Sequence, residues 1–181
     1  MTFRVTLGCD PGNSGAIAVI ADGEPVSFID IPSKPRKTSG FQVDCPELAA
    51  RIRGVMQLHS GAHFTAVVEE VNAMPSAGGE NGEPRRRMGS STSFKFGQSY
   101  GALQGVLGAL GVETIDAFPA SWKRHHGLHG QKKGGQKDDS RLLAIERFPN
   151  LALLLARKKD AGRADALLIG LWAQETEQVA A

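Results

Sequence analysis

The stretch Leu7 to Val19, LGCDPGNSGAIAV, decides the fold, because a buried-looking strand ends there at one carboxylate and a glycine-rich turn sends the chain straight back. Upstream, Val5, Leu7 and Cys9 alternate with Arg4, Thr6 and Gly8, the period of two that marks a strand. Pro11-Gly12-Asn13-Ser14-Gly15 is turn chemistry, and Ala16 to Ile20 resumes as a second apolar run of strand length. Asp10 therefore stands at a strand end beside a backbone almost bare of side chains. A carboxylate there can hold a divalent cation, face a phosphate or cap the turn; as an Asx-turn it would bond only the amides of Gly12 and Asn13. The choice depends on the other carboxylates of the chain.

A length of 181 residues fits a single domain, 1–181, with a sizeable core. No apolar run reaches membrane-spanning length, and the opening MTFRVTLG reads as strand rather than signal region. The expectation is a protein of the cytoplasm, in a bacterial cell or a phage-infected host, with no membrane partner. Cys9 and Cys45 form no CxxC pair that would indicate zinc or redox chemistry. A net charge of +2 is too small to attract a polyanion in bulk, so distribution matters more. Basic residues cluster at 34–37, 85–87, 123–124, 132–137 and 157–159, in loops and element ends, where a fold that gathers several makes a phosphate-binding face.

Asp22-Gly23-Glu24-Pro25 predicts a hairpin turn and Val26 to Ile31 a third strand, giving an antiparallel meander. Residues 33–43 are expected as a basic, mobile loop. Pro46 opens an amphipathic helix through Leu48, Ile52, Val55 and Leu58, and Phe64 to Val71, FTAVVEEV, returns as a strand parallel to the first. Glu69 and Glu70 at its end point to opposite faces, so only one of them shares a face with Asp10. Residues 72–93 form a long loop without periodicity, and 127–136 a third mobile link.

Phe94 to Leu110 reads as a helix with Gly97, Gly101, Gly105 and Gly108 near one side. Glycine is costly in a helix, so something is expected to approach closely, either the sheet or a second subunit. Val112 to Ala117 is a fifth strand, and Pro119 opens a helix in which Trp122 reaches the core. His125, His126 and His129 invite a metal reading, but no Cys, Asp or Glu lies near them in sequence. After a helix from Lys137 to Phe148, the segment from Ala161 carries Ala164, Leu167, Leu168, Leu171 and Trp172 on one helical face, with Asp165 beside them. An acid beside a buried stripe is expensive unless paired or metal-bound. Asp160 lies five residues earlier, about 140° around a continuous helix, so it joins Asp165 only from the lead-in; as an N-cap or dipole-compensating acid it would be structural.

With a meander, then alternating helices and strands, and acids at Asp10, Glu69 or Glu70, and Asp165, the chain resembles the RuvC family of Holliday-junction resolvases, in its phage-type branch. The matching stretches are LGCDPGNSGAIAV, VVEEV, SFKFGQSYGALQGVL, FPASWKR and KKDAGRADALLIG, in the family's order. The resemblance implies an α/β RNase H-like fold with a mixed five-stranded sheet, three antiparallel strands followed by parallel ones, flanked by helices. It also implies a homodimer that cuts four-way DNA junctions with paired symmetric nicks, using two Mg2+ ions per site for which Mn2+ substitutes. By match to the family pattern, Asp10, Glu69 and Asp165 are metal ligands and catalytic. Asp160 stands in for a fourth acid, where the family carries Asp or His three or four residues before the last acid and this chain has Gly162 and Ala161. Lys137 is expected near the scissile phosphate.

Hard oxygen ligands are what such cations require, and phosphates and shape supply most of the DNA binding. Arg85, Arg86, Arg87, Lys123, Arg124, Lys132, Lys133 and Lys137 are the residues expected to hold DNA. Three other readings compete: an RNase H-like nucleic-acid-binding protein without catalysis, a nuclease for other branched DNA, and an actin-like ATPase sharing the DPGNSG loop. The last normally needs two such domains and a second glycine-rich motif, for which 181 residues leave no room.

Overall fold

The computed structural model describes residues 3–12, 14–37, 39–70, 90–128, 136–176 and 178, and of residues 90–92, 136 and 137 the backbone alone. Most of the expected loops 72–93 and 127–136 lies outside these residues, as do Arg85, Arg86, Arg87, Lys132 and Lys133.

Strand β1, Arg4–Cys9, pairs antiparallel with β2, Ala16–Ala21, which pairs antiparallel with β3, Glu24–Asp30. Asp22 and Gly23 between β2 and β3 both have positive φ, 46° and 88°, the left-handed pair that lets a two-residue hairpin follow the strands' twist. A short antiparallel ribbon of β4, Ser33–Pro35, and β5, Phe41–Val43, leads to α1, Cys45–Leu58. Next, β6, His63–Glu69, runs parallel to β1, and after α2, Ser90–Ala109, strand β7, Glu113–Ala117, runs parallel to β6. The main sheet has the order β3-β2-β1-β6-β7. Helices α3, Pro119–His125, α4, Gln136–Arg147, and α5, Ala161–Glu175, complete the chain, with short 3-10 turns at Pro149–Leu151 and Lys158–Asp160. The mixed five-stranded sheet flanked by helices is the architecture expected from the order of the elements.

Alternation along the strands separates two cores. Val5, Leu7, Cys9, Ala66 and Val68 face one side with Leu48 and Ile52 of α1 and Leu103, Val106 and Leu107 of α2. Ala18, Ile20, Val67 and Ala117 face the other with Trp122 and the apolar stripe of α5, from Ala164 to Ala173. Burial on both faces explains the apolar runs AIAVIA of β2 and AVV of β6.

Helix α5 crosses β1 closely because both elements are stripped to backbone at the crossing. A Cβ on Gly8 would sit 2.1 Å from the carbonyl oxygen of Ala166, and one on Gly170 would sit 2.7 Å from Cδ1 of Ile20 and 3.2 Å from Cα of Gly8. The contact sets the height of α5 above the end of β1, where Asp10 lies.

Two expectations change. Within the stretch 33–43, expected as a basic, mobile loop, Ser33–Pro35 and Phe41–Val43 pair as the β4–β5 ribbon. Two of its basic side chains are held: Arg36 donates to Phe41 O at 2.9 Å and Gln98 Oε1 at 2.6 Å, and Lys34 to Asp44 at 3.1 Å. The glycines of α2 do not meet the sheet either. Among the described residues, nothing outside the helix lies within 4 Å of a Cβ built on Gly97, Gly101, Gly105 or Gly108, while Leu103 and Leu107 make the sheet contact. No helix among the described residues is long and apolar enough to cross a membrane.

Candidate active site

The alternation that builds the two cores also sorts the acids. One position beyond Cys9 and Val68, which face α1 and α2, alternation turns Asp10 and Glu69 to the α5 face of the sheet, whereas Glu70 goes to the α2 side. Asp165 comes down from the first turns of α5. Asp10, Glu69 and Asp165 are thus brought to the C-terminal ends of the central strands β1 and β6 from three distant parts of the chain.

Their electrostatics carry the mark of that meeting. Burial, then the charge of Asp165 and that of Glu69, push the Asp10 carboxyl from its ordinary 3.8 up to about 7, against the pull of its hydrogen bond from Gly12 N and of Lys123. Glu69 is raised by burial and by Asp165, against Lys123 and Trp122. Asp165 is raised by burial, opposed by a hydrogen bond from Ser140 and by Lys123, and its Oδ1 is buried without a hydrogen-bond partner. Three acids all raised by burial, with Asp10 and Glu69 raised further by the charge of Asp165, form a site short of positive charge.

Helix α3 supplies part of that charge. Trp122, fully buried, donates its indole N–H to Glu69 Oε1 at 3.1 Å. The Lys123 ammonium lies 3.9 Å from the same oxygen and 4.9 Å from the Trp122 ring centre, on a side chain 42% exposed. Lys123 therefore lies at the rim of the carboxylate site, and Arg124 beside it is exposed. Lys137 belongs to the first turn of α4, and its side chain is not among those described.

Asp10 realises the turn reading as well, since its Oδ1 accepts the amide of Gly12 at 3.2 Å. That bond leaves Oδ2 facing Gly162 across a gap that admits no side chain. A Cβ on Gly162 would lie 3.1 Å from Asp10 Oδ2 and only 2.4 Å from the carbonyl oxygen of Ser14.

Asp160, the expected stand-in for a fourth acid, is paired with a residue of its own turn. Its two oxygens are taken by Arg157, whose backbone amide donates to Oδ2 at 2.9 Å and whose guanidinium donates to Oδ1 at 2.7 Å, closing the turn before α5. The pairing holds its carboxyl below the usual range, and Asp160 is not among the charges that Asp10, Glu69 or Asp165 feel. The pairing gives this buried acid a structural partner of its own at the start of α5.

Sequence reasoning placed Trp122 in the core but missed its bond to Glu69, and missed Ser140 and the bare position at Gly162. Nothing in the periodicity signals the first two. Gly162 was visible only as a departure from the resembled pattern.

A meander with two parallel strands, and acids at the ends of the first and fourth strands of the main sheet and in the last helix, define a RuvC-like fold of the RNase H-like class. Over 98% of this chain and 96% of the other, the structure is similar to Thermus thermophilus RuvC in complex with a Holliday junction substrate, with a TM-score of 0.55 and 17% identity. A 76-residue segment, 41% of the chain, is 43% identical to the chloroplastic Holliday junction resolvase MOC1 of Chlamydomonas reinhardtii, and covers 8% of that relative's length. No family model matches the chain.

Proposed function

We propose that the chain is a metal-dependent endonuclease that resolves four-way DNA junctions, with Asp10, Glu69 and Asp165 as the ligands of two divalent cations, Mg2+ in the cell and Mn2+ as a substitute. The observation that carries this reading is the convergence on one face of three partly buried carboxylates, each raised above its ordinary range, Asp165 with a buried oxygen that has no partner. Hard anionic oxygens in this number suit magnesium and have no structural purpose of their own, because packing them together without a cation costs stability. The likeness to RuvC and to the MOC1 segment supports the substrate class.

Bound cations would activate a water for in-line attack on phosphorus and stabilise the leaving 3′ oxygen. The chain's own residues prepare the site around that chemistry. Trp122 holds one oxygen of Glu69, so the side chain cannot swing away from Asp10. Gly12 and Ser140 each take one side of a carboxylate, leaving the other oxygens of Asp10 and Asp165 to face inward. Lys123 offers an ammonium at the rim, where it can receive a DNA phosphate, and Arg124 extends that positive edge.

Paired symmetric nicks need two copies of the site, and a homodimer belongs to the same proposal. The open glycine side of α2, with no described neighbour, supports a second copy packing there. A cytoplasmic setting is part of this reading too. The test is incubation of the protein with a labelled four-way junction and a matched duplex, in magnesium, in manganese and in chelator. Magnesium-dependent nicks in the junction alone support the proposal; binding without nicks in either metal favours a non-catalytic nucleic-acid-binding protein, for which the vacant fourth-acid position at Gly162 speaks.

A further inference from the structure

The histidines that sequence alone leaves without an acidic partner acquire one from the far end of the chain. At the end of α3, His125 Nε2 lies 2.6 Å from Oε2 of Glu175, the last residue of α5. His126 packs edge-on against His125, with ring centres 4.8 Å apart. One ligand atom from each of His125, His126 and Glu175 falls within a sphere of contacts no wider than 4.8 Å.

The surroundings orient these groups as ligands. His126 Nε2 lies 2.7 Å from the carbonyl oxygen of Leu168, which can only accept, so Nε2 carries the proton and Nδ1 keeps its lone pair. A ring N–H donated to a backbone carbonyl is the usual support of a metal-bound imidazole. Arg147 on α4 approaches Nδ1 at 3.3 Å and pairs with Oε1 of Glu175, leaving Oε2 turned to His125.

We propose that His125 Nε2, His126 Nδ1 and Glu175 Oε2 bind a borderline divalent cation, Zn2+ or one of similar preference, at a site separate from the three carboxylates. Two imidazoles with one carboxylate suit zinc and disfavour magnesium, which takes oxygen. On binding, His125 coordinates as a neutral imidazole with its proton on Nδ1: from the imidazolium one proton passes to solvent, from the neutral ring it exchanges to Nδ1 through solvent, and the metal takes its place against Glu175. Arg147 gives up Nδ1 but retains Oε1 of Glu175, and water completes a four-coordinate shell. The ion would pin α3 to the end of α5, three residues beyond the Trp122 that holds Glu69. The site does not depend on the nuclease reading, because it shares no residue with it.

The experiment is calorimetric titration of the full chain with Zn2+ in the presence of excess Mg2+, repeated with His125→Ala, Glu175→Gln and Asp10→Asn. The expected result is one ion per chain, with affinity reduced about tenfold or more in each of the first two variants and unchanged in the third. Co2+ in place of Zn2+ should give the visible absorption of a four-coordinate site, lost in the same two variants. Thermal melting in chelator checks that they fold, and Glu175→Gln stands if His125→Ala does not. No uptake of zinc by the parent chain, equal affinity in the folded variants, or loss of binding in Asp10→Asn would each overturn the proposal.

Discussion

The indole nitrogen of Trp122 donates to Oε1 of Glu69 at 3.1 Å, joining two residues 53 positions apart and tying the core of α3 to the end of β6. The bond turns a buried packing residue into a support for a candidate metal ligand. Trp122→Phe keeps an aromatic ring in the core and removes the donor. The variant should fold with a loss of about 1–3 kcal/mol from cavity and lost bond. Its cleavage rate should fall about tenfold or more, with a higher magnesium requirement, as for other groups that hold a metal ligand in place. Magnesium titration of junction cleavage checks both.

Gly162 allows the turn after β1 to touch α5. Because a Cβ there would lie 2.4 Å from the carbonyl of Ser14, Gly162→Ala must push the turn or the helix aside. The expected cost is about 1–3 kcal/mol, read from urea unfolding, with a loss of activity because Asp10 moves with the turn. Gly162→Asp, which restores an acid where the resembled family has one, should be less stable still and no more active.

Asp160→Ala separates cap from ligand. It leaves Arg157 without its partner and the turn before α5 open, so stability should fall by about 1–3 kcal/mol. Metal affinity, measured by Mn2+ titration of the folded variant, should stay within about threefold of the parent, since no direct contact with the metal is lost. A loss as large as that of Asp165→Asn would restore Asp160 as a ligand.

Without metal, the site should make the fold less stable as pH rises. Asp10 goes from 3.8 in the unfolded chain to about 7 when folded. Below pH 3.8 both states are protonated and there is no cost. Between 3.8 and 7 the unfolded chain releases its proton first, and folded stability is lost progressively until the folded carboxyl ionises as well. Asp10→Asn should therefore gain stability over its parent as pH rises through that window, measured as the difference between their melting curves in chelator. Added magnesium should narrow the difference at pH 7.

The sequence made the sheet legible because its signals are local. Alternation in β1 and the apolar runs of β2 and β6 defined the strands, and the same alternation separated Glu69 from Glu70. Its limits appear where a property depends on residues far apart. Arg157 satisfies Asp160 within three residues, yet charge pattern alone does not distinguish a capped acid from a metal ligand. Basic residues in 33–43 suggested a solvated loop, whereas pairing with Phe41, Asp44 and Gln98 gives the segment a ribbon. The glycines of α2 were expected against either the sheet or a second subunit; the sheet does not meet them, and its own bare crossing with a helix lies between Gly8 and Gly170. Glu175 reaches His125 across 50 residues, a contact that no spacing rule could find.

The most direct test of the central claim compares the parent chain with Asp165→Asn on one labelled four-way junction, measuring binding and single-turnover cleavage in magnesium. The buried Asp165 oxygen without a partner predicts that Asp165→Asn binds the junction about as tightly as the parent but cuts it at least about a thousandfold more slowly, as expected when a metal ligand of a hydrolytic centre is removed. Cleavage by a folded Asp165→Asn at the parent rate would contradict the account, because the convergence of Asp10, Glu69 and Asp165 would then have no part in the chemistry.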